Sequence, residues 1–173
     1  MIRLAKEDDL NAIEKIYNAL HDLEEQGLST TGWQRKIYPT RNGAKAAVDA
    51  GEMYVLEAEG SIVAAAKINQ EQEPDYVKVK WDRKASVNEI MVIHTLVVDP
   101  SYRGKGYAKS FMEFCESFAR EKGCIELRLD TNERNKVARN LYKSLGFHEI
   151  GVVPTVFNGI EGVRLVMLEK SLI

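Results

Sequence analysis

The sequence predicts a single mixed α/β domain, in which helices flank a β-sheet of mixed direction. Three observations carry that expectation. Helix-like and strand-like periodicities alternate along the chain, as they do when helices cover a sheet. Hairpin patterns near the start and at the end add antiparallel strands, so the sheet is not purely parallel. The length of 173 residues suits one domain able to bury a core without disulfides or metals.

Each element has its own signal. Ile2-Arg3-Leu4 reads as a short strand. Asp8 or Asp9 caps a helix with Leu10, Ile13, Ile16, Tyr17 and Leu20 on one face, and Gly27 closes it. A polar loop from Ser29 to Pro39 carries Trp33 and Tyr38, and a shorter helix fills Asn42 to Ala50, stopped by Gly51. Glu52 to Glu59 and Ile62 to Ile68 form two strands about a Glu59-Gly60 turn. Asn69 to Asn88 is polar and irregular, marked by Tyr76, Val77, Val79 and Trp81. Ile90 to Val98 is a buried strand ending at Asp99-Pro100, with His94 on the face shared by Ile90, Val92, Leu96 and Val98. From Gly104 to Lys122, Tyr107, Phe111, Phe114 and Phe118 mark a helical face. Ile125 to Leu129 alternates as a strand, Arg134 to Ser144 is helical, and Phe147 to Val153 and Val163 to Leu168 are strands across an Asn158-Gly159 turn region.

Composition narrows the function. Lys plus Arg number 24 and Asp plus Glu 26, for a net charge of −2, which removes the simplest case for a nucleic-acid binder. No apolar run approaches the roughly 18 residues of a membrane span, and no leader pattern opens the chain. The expectation is a cytoplasmic, reduced protein with no membrane or nucleic-acid partner, and with Cys115 and Cys124 inert. His21, His94 and His148 lack metal-ligand spacing, so no metal is expected. The acid-rich stretch from Glu7 to Glu25 is either a solvated helix face or a field that steers a cationic amine.

The densest signal is Leu96-Val97-Val98-Asp99-Pro100-Ser101-Tyr102-Arg103-Gly104-Lys105-Gly106-Tyr107-Ala108. A strand runs into a Gly-rich turn that opens directly into an amphipathic helix. The first turn of a helix offers unpaired N–H groups and a positive dipole end. Gly104 and Gly106 let a ligand approach the backbone, and Arg103 and Lys105 add charge. The pattern is built for a phosphate or pyrophosphate. No G-x-x-x-x-G-K-[ST] exists, and Lys109 stands where a dinucleotide fingerprint needs its third glycine.

Here the chain resembles the GNAT family, the GCN5-related N-acetyltransferases. Arg103-x-x-Gly106-x-Ala108 matches the family's pyrophosphate loop, [QR]-x-x-G-x-[GA], and Asn135, Ala138, Leu141-Tyr142 and Gly146-Phe147 match its second motif in order and spacing. The likeness is close from about Ile90 to Gly151. It implies the acyl-CoA N-acyltransferase fold, with a centrally splayed sheet, over one domain of residues 1–173: an acceptor side at 1–89, an acetyl-CoA-binding core at 90–151 and C-terminal strands at 152–173. It implies acetyl-CoA as acyl donor. The pantetheine arm would lie where Ile90 to Val98 splays from Ile125 to Asp130, pairing with backbone at Leu96, Val97 and Val98. Arg103, Gly104, Lys105, Gly106, Tyr107 and Ala108, with Lys109 at the rim, would hold the pyrophosphate, and Asn135 would bond the arm.

The implied reaction is direct attack of a primary amine on the thioester, in a ternary complex. A backbone N–H near Leu96 suits the developing oxyanion, and Tyr142 suits protonation of the leaving thiolate. His94 or Glu89 would take the amine's proton, with a satisfied core histidine as the plainer reading of His94. Trp33 and Tyr38, with Trp81, form either an acceptor wall or a satellite core. The acceptor would be a small-molecule or peptide amine and the protein a monomer or homodimer. The alternatives are another acyl-CoA as donor, or a non-catalytic acyl-CoA- or partner-binding module.

Overall fold

A computed structural model describes residues 1–173. Its strands are β1 (Ile2–Leu4), β2 (Met53–Ala58), β3 (Ser61–Asn69), β4 (Ile90–Val98), β5 (Glu126–Asn132), β6 (His148–Phe157) and β7 (Ile160–Ser171). Its helices are α1 (Leu10–Glu25), α2 (Arg41–Asp49), α3 (Tyr107–Glu121) and α4 (Lys136–Ser144). The strands form one seven-stranded sheet in the order β1-β2-β3-β4-β5-β7-β6. The mixed α/β class expected from the sequence is the class observed. The chain packs as two compact units, one of Met1–Ser29, Trp33–Ile68 and His94–Phe114, the other of Thr30–Gly32, Asn69–Ile93 and Cys115–Ile173.

In the first unit, β2 pairs antiparallel with both β1 and β3, from Ile2↔Leu56 and Met53↔Lys67. The apolar stripe of α1 buries Leu10, Ile13, Ile16, Tyr17 and Leu20 against Ala44, Ala47, Met53, Val55, Ala65 and Val97. Asp9 does not cap α1 through its side chain. Its carboxylate instead accepts from Arg3 at 2.7 and 3.0 Å and from the Lys6 N–H at 2.8 Å, and a short 3-10 turn, Glu7–Asp9, leads into the helix. The carboxylate serves a cation in place of the helix end. Helix α2 begins one residue earlier than expected because Thr40 caps it, its hydroxyl accepting from the Gly43 N–H at 3.2 Å.

In the second unit, β4 starts parallel to β5, from Ile90↔Glu126 to Val92↔Arg128. Strand β7 pairs antiparallel with β5 and with β6. The last hairpin is longer than the sequence suggested, because its turn is a tight one. Asn158 and Gly159 both take positive φ, 49° and 84°, which lets the ladder continue to Phe157↔Ile160. The segment expected to be irregular holds two short 3-10 turns, Pro74–Lys78 and Val87–Glu89. Tyr76 is buried there with Ile90, Val92, Val153, Leu165 and Met167. Trp81 packs on the same cluster, donates its indole N–H to the Tyr76 carbonyl at 2.8 Å, and has its ring centre 4.0 Å from the Arg128 guanidinium. Trp81 is thus satellite core, not acceptor wall.

Candidate functional site

Strand β4 begins as a fully buried run, Ile90 to Ile93. His94, Thr95 and Leu96 are half-buried, and Val97 is buried again. The irregularity has a local cause: Thr95 takes φ 53°, in the left-handed region. A β-branched residue there is a true outlier, held at a cost on the order of 1–3 kcal/mol. The strict alternation that would put His94 on one face with Leu96 and Val98 therefore breaks at Thr95.

Beyond β4, Asp99 accepts from the Ser101 N–H at 2.8 Å and starts a 3-10 turn, Pro100–Tyr102. Gly104 and Gly106 follow at φ 77° and 79°, with nothing within 4 Å of where a Cβ would stand. Helix α3 begins at the next residue, Tyr107, rather than at Gly104. The turn is open, left-handed twice, and leads into a helix N-terminus, which is a concavity of backbone N–H groups suited to an anion. Arg103, Lys105 and Lys109 are exposed around it. Lys105 lies 5.0 Å from the Tyr102 ring centre and donates to Glu59 at 2.7 Å; the Tyr107 hydroxyl donates to the same carboxylate oxygen at 3.1 Å. Lys105, and then Tyr107, hold the Glu59 carboxyl below its usual range.

The loop from Ser29 to Pro39 brings two of the expected residues together. Trp33 and Tyr38 meet edge to face, 5.9 Å between ring centres at 74°. Trp33 packs on the core of α1 and α2, and the Tyr38 hydroxyl is hydrogen-bonded to the Thr95 hydroxyl. The acids of α1 are occupied nearby: Arg35 binds Asp22 and Glu25, and Arg41 binds Glu14 at 2.8 Å. That favours the solvated, paired face over a steering field.

Glu89, Asn135 and Tyr142 belong to the second unit. Asn135 caps α4, its Oδ1 accepting from the Ala138 N–H at 3.2 Å, which leaves its amide NH₂ to point elsewhere. Tyr142 is buried on α4, its ring centre 5.7 Å from that of Phe147. Burial pushes its phenol well above the ordinary range, so it stays protonated at neutral pH. Glu89 closes a capping box with Ser86, accepting from that residue's N–H at 2.9 Å and hydroxyl at 2.6 Å. These bonds hold its carboxyl below the usual range. Cys115 and Cys124 are buried and free, and burial raises both thiols.

A family model, the Acetyltransferase (GNAT) family, matches residues 13–147. This chain belongs to the GNAT acetyltransferase family. Among curated relatives, streptothricin acetyltransferase of Escherichia coli is 39% identical over 67 residues, which are 39% of this chain but 35% of that protein. The [ribosomal protein bS18]-alanine N-acetyltransferase of Haemophilus ducreyi is 23% identical over 127 residues, 67% of this chain and 88% of that one. Among solved structures, a GNAT family acetyltransferase from Streptococcus agalactiae has a TM-score of 0.81 at 23% identity, covering 99% of this chain and 94% of that one. The Salmonella typhimurium protein yncA, determined with its cofactor acetyl-CoA, has a TM-score of 0.72 at 20% identity, covering 100% and 94%. At these identities the structural likeness is one of fold. No helix of this GNAT protein is long and apolar enough to cross a membrane.

Two residues in this GNAT chain carry site geometry that the sequence did not reveal. Glu59 reaches Lys105 and Tyr107 across 46 and 48 positions, and Thr95 reaches Tyr38 across 57. Glu59 had one visible mark, its place before Gly60 in a hairpin turn. Thr95 had none, since Thr is an ordinary strand residue and its left-handed backbone is a tertiary outcome.

Proposed function

We propose that this GNAT protein moves the acetyl group of acetyl-CoA to a primary amine, by direct attack while both substrates are bound. The observation that carries the reading is the doubly left-handed Gly104–Gly106 turn opening into α3. Its empty Cβ positions and exposed flanking cations fit a pyrophosphate, which needs close backbone approach and positive charge. Arg103, Gly104, Lys105, Gly106, Tyr107, Ala108 and Lys109 hold that group. The backbone of Leu96, Val97 and Val98 and the Asn135 amide take the pantetheine arm.

Acetyl-CoA supplies an activated acetyl group; the chain orients it and manages protons. The Leu96 N–H faces the charge that gathers on the acyl oxygen. Tyr142 holds a proton at its hydroxyl for the departing sulfur, as a phenol does at neutral pH. His94 takes the amine's proton at a ring nitrogen. It is preferred to Glu89, whose carboxylate is already engaged by the Ser86 N–H and hydroxyl. The acceptor is a small-molecule or peptide amine, a range supported by relatives named for streptothricin and for a ribosomal-protein alanine. The whole chain acts as one cytoplasmic N-acetyltransferase domain, as monomer or homodimer, with no metal.

Thermal unfolding with added ligand tests the reading. Acetyl-CoA at about 100 times its Kd adds about 2.7 kcal/mol to the native state, so it should raise Tm more than NAD or ATP at equal concentration. Gly106→Glu should abolish that shift, while Gly106→Ala, with the same backbone strain but no charge, should keep most of it. Thiol release with spermidine and an alanyl peptide then reports the acceptor class. Equal protection by NAD, or a full acetyl-CoA shift in folded Gly106→Glu, would overturn the assignment.

A further inference from the structure

The left-handed turn at Thr95 is costly for a β-branched residue, and something must hold it. Its hydroxyl is hydrogen-bonded to the Tyr38 hydroxyl. Tyr38 is itself built into place. Its N–H, with that of Ile37, donates to the Gln34 carbonyl at 2.9 Å. The carbonyl of the next residue, Pro39, lies 3.0 Å from Nε2 of the buried His21; a carbonyl can only accept, so the ring N–H is the donor. Trp33 buttresses the Tyr38 ring edge to face and is seated on the core of α1 and α2. A well-anchored loop thus delivers one hydroxyl to the strained residue of β4, between His94 and Leu96.

We propose that Tyr38 is a positioning residue for acyl transfer: its hydroxyl pins Thr95 in the left-handed conformation, and so sets the direction of the His94 side chain and the Leu96 N–H. This inference rests on the functional reading above for the roles of His94 and Leu96. It gives Tyr38 a part other than lining an acceptor wall. Without the hydroxyl bond, Thr95 relaxes toward the extended region that β-branched residues favour, and its two neighbours turn with it. Glycine occupies positive φ as readily as negative, so a glycine at position 95 needs no pin.

The test is a cycle of Tyr38→Phe, Thr95→Gly and the double variant, read by thiol release from acetyl-CoA with spermidine or an alanyl peptide, and by amide hydrogen exchange at residues 94–97. Tyr38→Phe should lower kcat about tenfold, the scale of a small misplacement of reacting groups, with the KM for acetyl-CoA changed less than about twofold. It should also speed exchange at Thr95. In the Thr95→Gly background the same substitution should change neither kcat nor exchange. A Tyr38→Phe loss of equal size in both backgrounds, or one confined to acceptor KM, would make Tyr38 an acceptor contact and overturn the proposal. If the wild type turns over none of these amines, the functional reading is what fails. Exchange then still decides the pin: faster exchange in Tyr38→Phe that Thr95→Gly abolishes supports it, and unchanged exchange overturns it.

Discussion

Lys105 meets Glu59 at 2.7 Å in the first unit, with 46% and 52% of the two side chains still in solvent. Arg128 meets Glu126 in the second, with 8% and 1% exposed. Both are cation–carboxylate pairs, yet their physics is opposite. An exposed pair is worth about 0–1 kcal/mol and yields its cation to a better anion at little cost. A buried pair has lost its hydration, so breaking it strands a charge and costs about 3–5 kcal/mol. The exposed pair stands on the turn proposed to take a pyrophosphate, where a cation must be exchangeable. The buried one belongs to a cluster that holds the fold. Arg128 also donates to Gln72 at 3.1 Å and stacks on Trp81, while Glu169 accepts from the Asp82 N–H at 2.9 Å. That cluster ties the 72–82 segment to β5 and β7.

The sharpest way to break this contrast is Arg128→Met, which removes the cluster's cation while keeping much of its bulk. Denaturant unfolding at pH 7 should show a loss of about 3–5 kcal/mol, since Glu126 and Glu169 then lie buried without that counter-charge. At pH 5, where Glu169 can hold a proton, the loss should be smaller. A loss below about 1 kcal/mol at pH 7 would mean that the pair is effectively solvated and the contrast between the units false.

A smaller effect follows from Glu169 itself. Burial, and then the neighbouring Glu126 carboxyl, push its carboxyl from 4.5 up to about 7. In the unfolded chain it releases its proton near 4.5, whereas in the folded protein it keeps it until about 7. Between those values the folded state binds more protons than the unfolded, so stability falls as pH rises and flattens above about 7. Glu169→Gln, uncharged at every pH, should remove that slope. Unfolding free energies from about pH 4.5 to 8 decide it. Parallel curves for the variant and the wild type would place the titration elsewhere.

The same contrast explains which parts of the molecule could be read from the chain. The helix faces of α1 and α3, the Glu59-Gly60 and Asn158-Gly159 turns, and the Gly-rich entry to α3 follow local rules, because periodicity and glycine placement are written into consecutive residues. The Glu126–Arg128–Glu169 cluster was invisible. Glu126-Leu127-Arg128 in a strand has the look of alternating solvent and core, with the charges outside. They are inside because the Trp81 segment lies over that face, and the neighbouring strand β7 sets Glu169 beside Arg128 there, which is a fact of topology. The same holds for Asp9, whose carboxylate takes Arg3 of β1 and the Lys6 N–H rather than an N–H of α1. Of the site, the motif residues on the Gly-rich turn and on α4 were legible, whereas Glu59 and Thr95 act through partners far along the chain.

Glu59→Gln sharpens the exposed side of the contrast and should have the smallest effect. Stability should barely change, because both partners of the lost pair are half in solvent. Acetyl-CoA should bind about two- to fivefold more tightly, since Lys105 is freed and a negative charge leaves the turn. The gain should shrink as salt rises, which screens the removed repulsion. It should vanish in a Lys105→Ala background if release of that cation is its main source. Titration calorimetry at two salt concentrations measures the affinity, its salt dependence and the effect of the second substitution. Weaker binding by Glu59→Gln would reverse the argument: the carboxylate would then aim Lys105 at the ligand rather than compete for it, and even the exposed pair would be a fixed part of the fold.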